Sequence, residues 1–157
     1  MRPARPLSPS RVLPLLAAAL LGPATAMARP PATAPQAALA SVQGFFDAMA
    51  RYDQAGMRAD VLPTGSMALM RHGKPVQLTL GDFIGRLKPD GHRIEERIRH
   101  PLVRVDHDVA IVWAPYRFLL DGKVHHCGTD AFTLVRVDGH WLIASVADTS
   151  RETCAGG

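Results

Sequence analysis

Two Asp-Gly pairs, Asp121-Gly122 and Asp138-Gly139, constrain this chain more than any other feature. Each separates stretches rich in β-branched and aromatic residues. Asp-Gly favours the two-residue turn with positive φ at both positions that joins twisted antiparallel strands. Strands are therefore expected over 109–120, 123–137 and 140–148, after one over 93–105 and a turn at Asp106-His107-Asp108. If both Asp-Gly turns are tight, Leu120 faces Lys123 and Val137 faces His140, and alternation assigns every residue to a face. One face then carries Val109, Ile111, Trp113, Asp130, Phe132, Leu134, Trp141, Ile143 and Ser145. The flatter face carries Ala110, Val112, Ala114, Thr129, Ala131, Thr133, Leu142 and Ala144, and a homodimer is expected through it. Pro115 has no N–H for a ladder, so a bulge is expected near Ala114-Pro115, turning Tyr116 and Phe118 toward the Trp113 side.

The sheet is preceded by helices. Over 36–53, Leu39, Val42, Phe46 and Met49 form one apolar stripe flanked by Phe45 and Tyr52. Gly56 punctuates its end, and residues 57–62 add a short helical turn before Pro63. A small hairpin is expected from 66–72 and 75–78 around Gly73-Lys74. Thr79 then caps a second helix striped by Leu80, Phe83, Ile84 and Leu87, which Pro89-Asp90-Gly91 ends. Helices followed by a meander of long strands read as α+β, a bent antiparallel sheet closed by helices around an apolar pocket.

Residues 1–28 are read as a signal peptide rather than as part of the fold. Arg2, Arg5 and Arg11 precede the apolar run 12–21, which is too short to span a bilayer, and Ala26-Met27-Ala28 offers a cleavage site. The mature chain is expected in the periplasm or outside the cell, with no membrane span. Residues 29–35 form a Pro/Ala-rich spacer, 36–152 a single domain and 153–157 a short tail. The formal charge of +4 falls to +1 once the three leader arginines are gone, so the basic balance indicates no nucleic-acid partner. With 47% hydrophobic and 20% charged residues, the composition is that of a globular protein and not of a disordered chain.

Several segments follow in the order found in one superfamily. They are VQGFFDAMARYD (42–53), WAPYRF (113–118), HCGTDAFTL (126–134) and GHWLI (139–143). Residues 36–152 resemble the nuclear transport factor 2-like superfamily, close to its small SnoaL-like and lumazine-binding bacterial members. The resemblance implies a cone-shaped sheet packed on N-terminal helices, the cystatin-like roll. It implies no single activity, because that fold serves isomerases, dehydratases, cyclases and non-catalytic binders.

Asp130 is the side chain of most chemical interest, a carboxylate on an aromatic face where burial without a partner is costly. It is either a general acid/base of raised pKa, with His126 as proton carrier and Tyr116 as oxyanion donor, or a carboxylate satisfied by Arg117, Arg151 or His126. The expected pocket wall is Trp113, Tyr116, Phe118, Asp130, Phe132, Trp141 and Ser145, suited to a small apolar or aromatic molecule. No motif calls for a cofactor. The seven histidines lack metal-ligand spacing, and His125 and His126 must point to opposite faces of a strand. Cys127 and Cys154 are expected to form a disulfide in an oxidising compartment, which requires the tail to fold back after Asp148. Three readings follow: an exported small-molecule binder, a cofactor-free isomerase, dehydratase or cyclase using Asp130, and an accessory protein whose pocket its own side chains fill.

Overall fold

The structure, a computed structural model, describes Met1 and residues 32–154. The expected leader beyond Met1 and the first three residues of the spacer lie outside the described residues, and the last two spacer residues belong to the first helix.

Helix α1 (Ala34–Ala50) starts two residues before the expected boundary at 36, because Thr33 and Pro35 supply the start: Thr33 N donates to Gln36 Oε1 at 2.9 Å. It ends before Tyr52, which adopts a left-handed φ of 55°. Asp53 then caps α2 (Gln54–Ala59) by accepting from Gly56 N at 2.9 Å. Gly56 therefore lies inside α2 instead of ending α1. Strands β1 (Val61–Arg71) and β2 (Lys74–Thr79) form a hairpin through His72-Gly73, both at positive φ. Thr79 caps α3 (Leu80–Arg86), its hydroxyl accepting from Asp82 N at 3.0 Å.

The span expected as one strand over 93–105 is two, β3 (Ile94–Ile98) and β4 (Leu102–Asp106), interrupted at Arg99-His100-Pro101. Both pair with the same edge of β5 (Val109–Leu120). The break sits beside Pro115, whose carbonyl accepts from Arg99 N at 2.7 Å. A strand residue's N–H and C=O point to one edge, so the missing donor of Pro115 meets a gap instead of a ladder. Strands β6 (Lys123–Val137) and β7 (His140–Arg151) follow. The sheet runs β2-β1-β7-β6-β5-β3 with β4 also on β5, and every pair is antiparallel except β1 with β7. The fold is α+β with a mixed sheet.

Both Asp-Gly turns have positive φ at both residues, and Leu120 faces Lys123 and Val137 faces His140 as expected. The register then slips twice. Leu119 faces Val124 but Phe118 faces His126, so His125 is an extra residue on β6. Leu134 faces Ile143 but Thr133 faces Ser145, so Ala144 is an extra residue on β7. The expected bulge near Ala114-Pro115 is absent, Pro115 facing Thr129 in regular register; the slip on this strand pair falls at His125, opposite Phe118 and Leu119.

One extra residue exchanges the two faces of everything beyond it. On β5 the buried residues are Ala110, Val112, Ala114 and Tyr116, while Val109, Ile111 and Trp113 are about half exposed. Trp113 therefore lies on the outer face, and Ala110, Val112 and Ala114 belong to the core, not to the flat outer face. On β7 the slip turns Ser145 outward and Val146 and Asp148 inward. The core joins α1 (Val42, Phe45, Phe46, Met49) to Val112, Phe132, Leu134, Trp141 and Ile143.

Candidate functional site

Between α1, α3 and the inner face of the sheet lies a cavity of about 390 Å³. Its aromatic walls come from both layers: Phe45 and Phe46 of α1, Phe83 of α3, Tyr116 and Phe118 of β5, and Phe132 of β6. Phe46 meets Phe132 edge-on, with ring centroids 5.7 Å apart. The rim carries the exposed side chains Arg86, Lys88 and Asp90. The inner wall is polar in one place, where Glu96, Asp130 and Asp148 reach the cavity together with Arg71.

These carboxyl groups come together through register. Asp130 faces Ala114 on one side and Asp148 on the other, and Glu96 on β3 faces Phe118 of β5. Without the slip at Ala144, Asp130 would face Ala147, as the unslipped register expects. With it, two inward acids stand side by side on adjacent strands.

The three acids are held in different states. Asp148 accepts from Arg71 Nη1 at 2.7 and 2.9 Å and from Met70 N at 2.7 Å, the pattern of an ionised carboxylate. Asp130 is 4% exposed, and its Oδ2 has no hydrogen-bond partner among the described residues. Burial first, and then the charge of Asp148, push its pKa up to about 7 against the opposing pull of its Glu96 hydrogen bond and of Arg71. Burial holds Glu96 well above the ordinary carboxylate range, reinforced by the charge and hydrogen bond of Asp130. Both carboxyl groups are thus held above the ordinary carboxylate range, the condition under which two neighbouring acids share a proton.

Tyr116 and His126 occupy the same wall with their polar atoms already engaged. Tyr116 donates its O–H to Thr149 O at 2.9 Å, and burial keeps the phenol protonated by raising its pKa. His126 stacks on Phe118 with centroids 4.8 Å apart, and its Nδ1 lies 3.0 Å from that of His125. Burial, followed by the charges of His125 and Arg71, lowers its pKa and favours the neutral ring. Cys127 and Cys154 are joined in a disulfide with Cα atoms 5.8 Å apart, which brings the tail back beside the strand that carries His126.

Of the expected wall residues, Tyr116, Phe118, Asp130 and Phe132 line the cavity and His126 joins them. Trp113, Trp141 and Ser145 do not. Trp113 and Ser145 are turned away by the two bulges, while Trp141 is buried in the core with Arg136 stacked over its indole at 5.6 Å. Glu96, Asp148 and Arg71 were not anticipated. Among the described residues no group of three or more His, Cys, Asp or Glu side chains is placed to hold a metal ion, and no helix is long and apolar enough to cross a membrane.

Comparison with known proteins gives this geometry a context. The model of the family described as "Putative lumazine-binding" matches residues 33–147. The chain belongs to that family. No curated protein matches it. Among solved structures, a nuclear transport factor 2-like protein of unknown function from Silicibacter pomeroyi superposes with a TM-score of 0.60 at 20% identity, covering 73% of this chain and 93% of that one. The putative scytalone dehydratase of Novosphingobium aromaticivorans gives 0.61 at 11% identity, covering 76% and 87%. The putative ketosteroid isomerase of Shewanella frigidimarina gives 0.56 at 17% identity, covering 72% and 94%. These likenesses establish a nuclear transport factor 2-like fold for this lumazine-binding-family chain. The family match covers α1 through most of β7, and so includes every residue that lines the cavity except Asp148.

Proposed function

We propose that the cavity binds a small, largely apolar molecule and that Asp130 exchanges a proton with it, the chemistry of a cofactor-free isomerase or dehydratase. The observation that carries this reading is Asp130 Oδ2, a buried carboxylate oxygen without a hydrogen-bond partner among the described residues, in the wall of a cavity. Arg71, the arginine in the same wall, is committed to Asp148. A base whose pKa lies near neutrality combines adequate ionisation with adequate basicity.

The step moves one proton. Asp130 takes it from a carbon next to a carbonyl, the C–H pair passes into the enolate, and Asp130 returns the proton to a different atom of the same molecule. Glu96, donating to Asp130, holds the carboxylate in place, and the Arg71 guanidinium in the same wall offsets the growing negative charge. We assign His126 as the carrier that exchanges this proton with solvent. Tyr116, its O–H committed to Thr149 O, shapes the wall. We also infer export to the periplasm or beyond, supported by the Cys127–Cys154 bond, which suits an oxidising compartment. The expected homodimer is retained as part of this proposal, now resting on the outer row that Leu102 and Trp113 form by facing each other.

The test needs no knowledge of the product. A panel of aryl and alicyclic ketones is incubated with the protein in heavy water and followed by NMR for exchange at the carbon next to the carbonyl. The parent is expected to catalyse exchange, faster as the pH rises through about 7 because Asp130 must be ionised. Asp130→Asn is expected to lose on the order of 10²-fold or more. Binding of these ketones without exchange, or exchange that survives Asp130→Asn, would remove proton transfer and leave a binding protein.

A further inference from the structure

The charges around the cavity are separated along its depth. The acids Asp130 and Asp148 are buried in the inner wall, where Arg71 is bonded to Asp148 and the Oδ2 of Asp130 has no hydrogen-bond partner among the described residues. Arg86 and Lys88 stand at the rim, exposed, and neither forms an ion pair or hydrogen bond with a side chain among the described residues. The one rim acid, Asp90, is directed elsewhere: its Oδ1 accepts from Tyr52 Oη at 3.3 Å and from His92 N at 3.1 Å.

We propose that the cavity's ligand is an organic carboxylate, an apolar body whose carboxylate stays at the rim against Arg86 and Lys88 while its uncharged end enters among the phenylalanines. A carboxylate moved to the inner wall would stand against Asp130 and Asp148 at low dielectric, where like charges repel strongly. At the rim it meets two exposed cations that form no close ion pair among the described residues, Arg86 having only the more distant Asp82 carboxylate, one turn back on α3, as an electrostatic partner. The polarity of the cavity thus sets the direction of entry and presents the ligand's neutral end to Asp130. The inference rests on the cavity being a ligand site, as proposed above, and not on the proton transfer.

Calorimetric titration with 1-naphthoate and its neutral isostere 1-naphthamide tests it. The parent is expected to bind naphthoate roughly five- to tenfold more tightly, the scale of two solvent-exposed charge pairs. Raising the ionic strength should erode that preference and leave naphthamide unchanged. In the Arg86→Gln, Lys88→Gln double variant the two probes should bind alike, with naphthamide affinity retained. Equal affinities in the parent, or a preference that survives both high salt and the double exchange, would overturn the inference and leave the Asp130 chemistry standing. Failure of both probes to bind would overturn it together with the ligand-site reading.

Discussion

Gly128 shows how much one residue governs here. It faces Tyr116 on β5 and Ser150 on β7, and a Cβ added to it would lie 1.8 Å from Thr149 O and 2.7 Å from Tyr116 Cε1. Thr149 O is also the atom that receives the Tyr116 hydroxyl. The missing side chain therefore lets the phenol lie flat across the strand and reach its acceptor. Gly128→Ala is expected to destabilise the fold by about 2–4 kcal/mol, since backbone oxygen cannot yield as a flexible side chain does. Urea denaturation checks this, and a loss below about 0.5 kcal/mol would show that the strands part easily. Asp130 sits two residues further along the same strand. Its importance was legible from a carboxylate among alternating apolar residues. Its partners were not, because Glu96 and Asp148 come from strands whose register no local pattern reveals.

At the scale of elements, the turns and strands were readable and the offsets between strands were not. Asp121-Gly122 and Asp138-Gly139 announce their geometry through positive φ, and α3 is announced by Thr79 and its stripe. A bulge carries no such signal at His125 or Ala144, since neither residue needs an unusual conformation to be the extra one. Each bulge nevertheless moves a whole run of side chains to the opposite face. Pro115 did mark a real irregularity, which the fold accommodated by interrupting the neighbouring edge instead of bending β5. The consequence for β5 is measurable. Trp113 is 50% exposed and Trp141 only 4%. Iodide should quench about half of the tryptophan emission of the parent, and Trp113→Phe should reduce quenching to that of a buried indole. Undiminished quenching in that variant would restore the unslipped register, with Trp113 in the pocket wall.

For the molecule as a whole, the cavity is a product of both layers and of their mismatch. Helices α1 and α3 supply the apolar ceiling, and the slipped strands bring three carboxyl groups into one wall with a single arginine. Close-packed cores rarely tolerate such an arrangement without a proton or a cation to balance it. Here Arg71 balances Asp148, and the raised pKa values of Glu96 and Asp130 call for a proton shared between them. That shared proton is the claim on which the proposed chemistry depends. Titration of the side-chain carboxyl carbons by NMR, in protein labelled at aspartate and glutamate and assigned with Asp130→Asn and Glu96→Gln, reads it directly. The account predicts an Asp130 midpoint near 7 and a Glu96 carboxyl still protonated well above the ordinary range. Midpoints for both groups near the ordinary value of about 4 would contradict it.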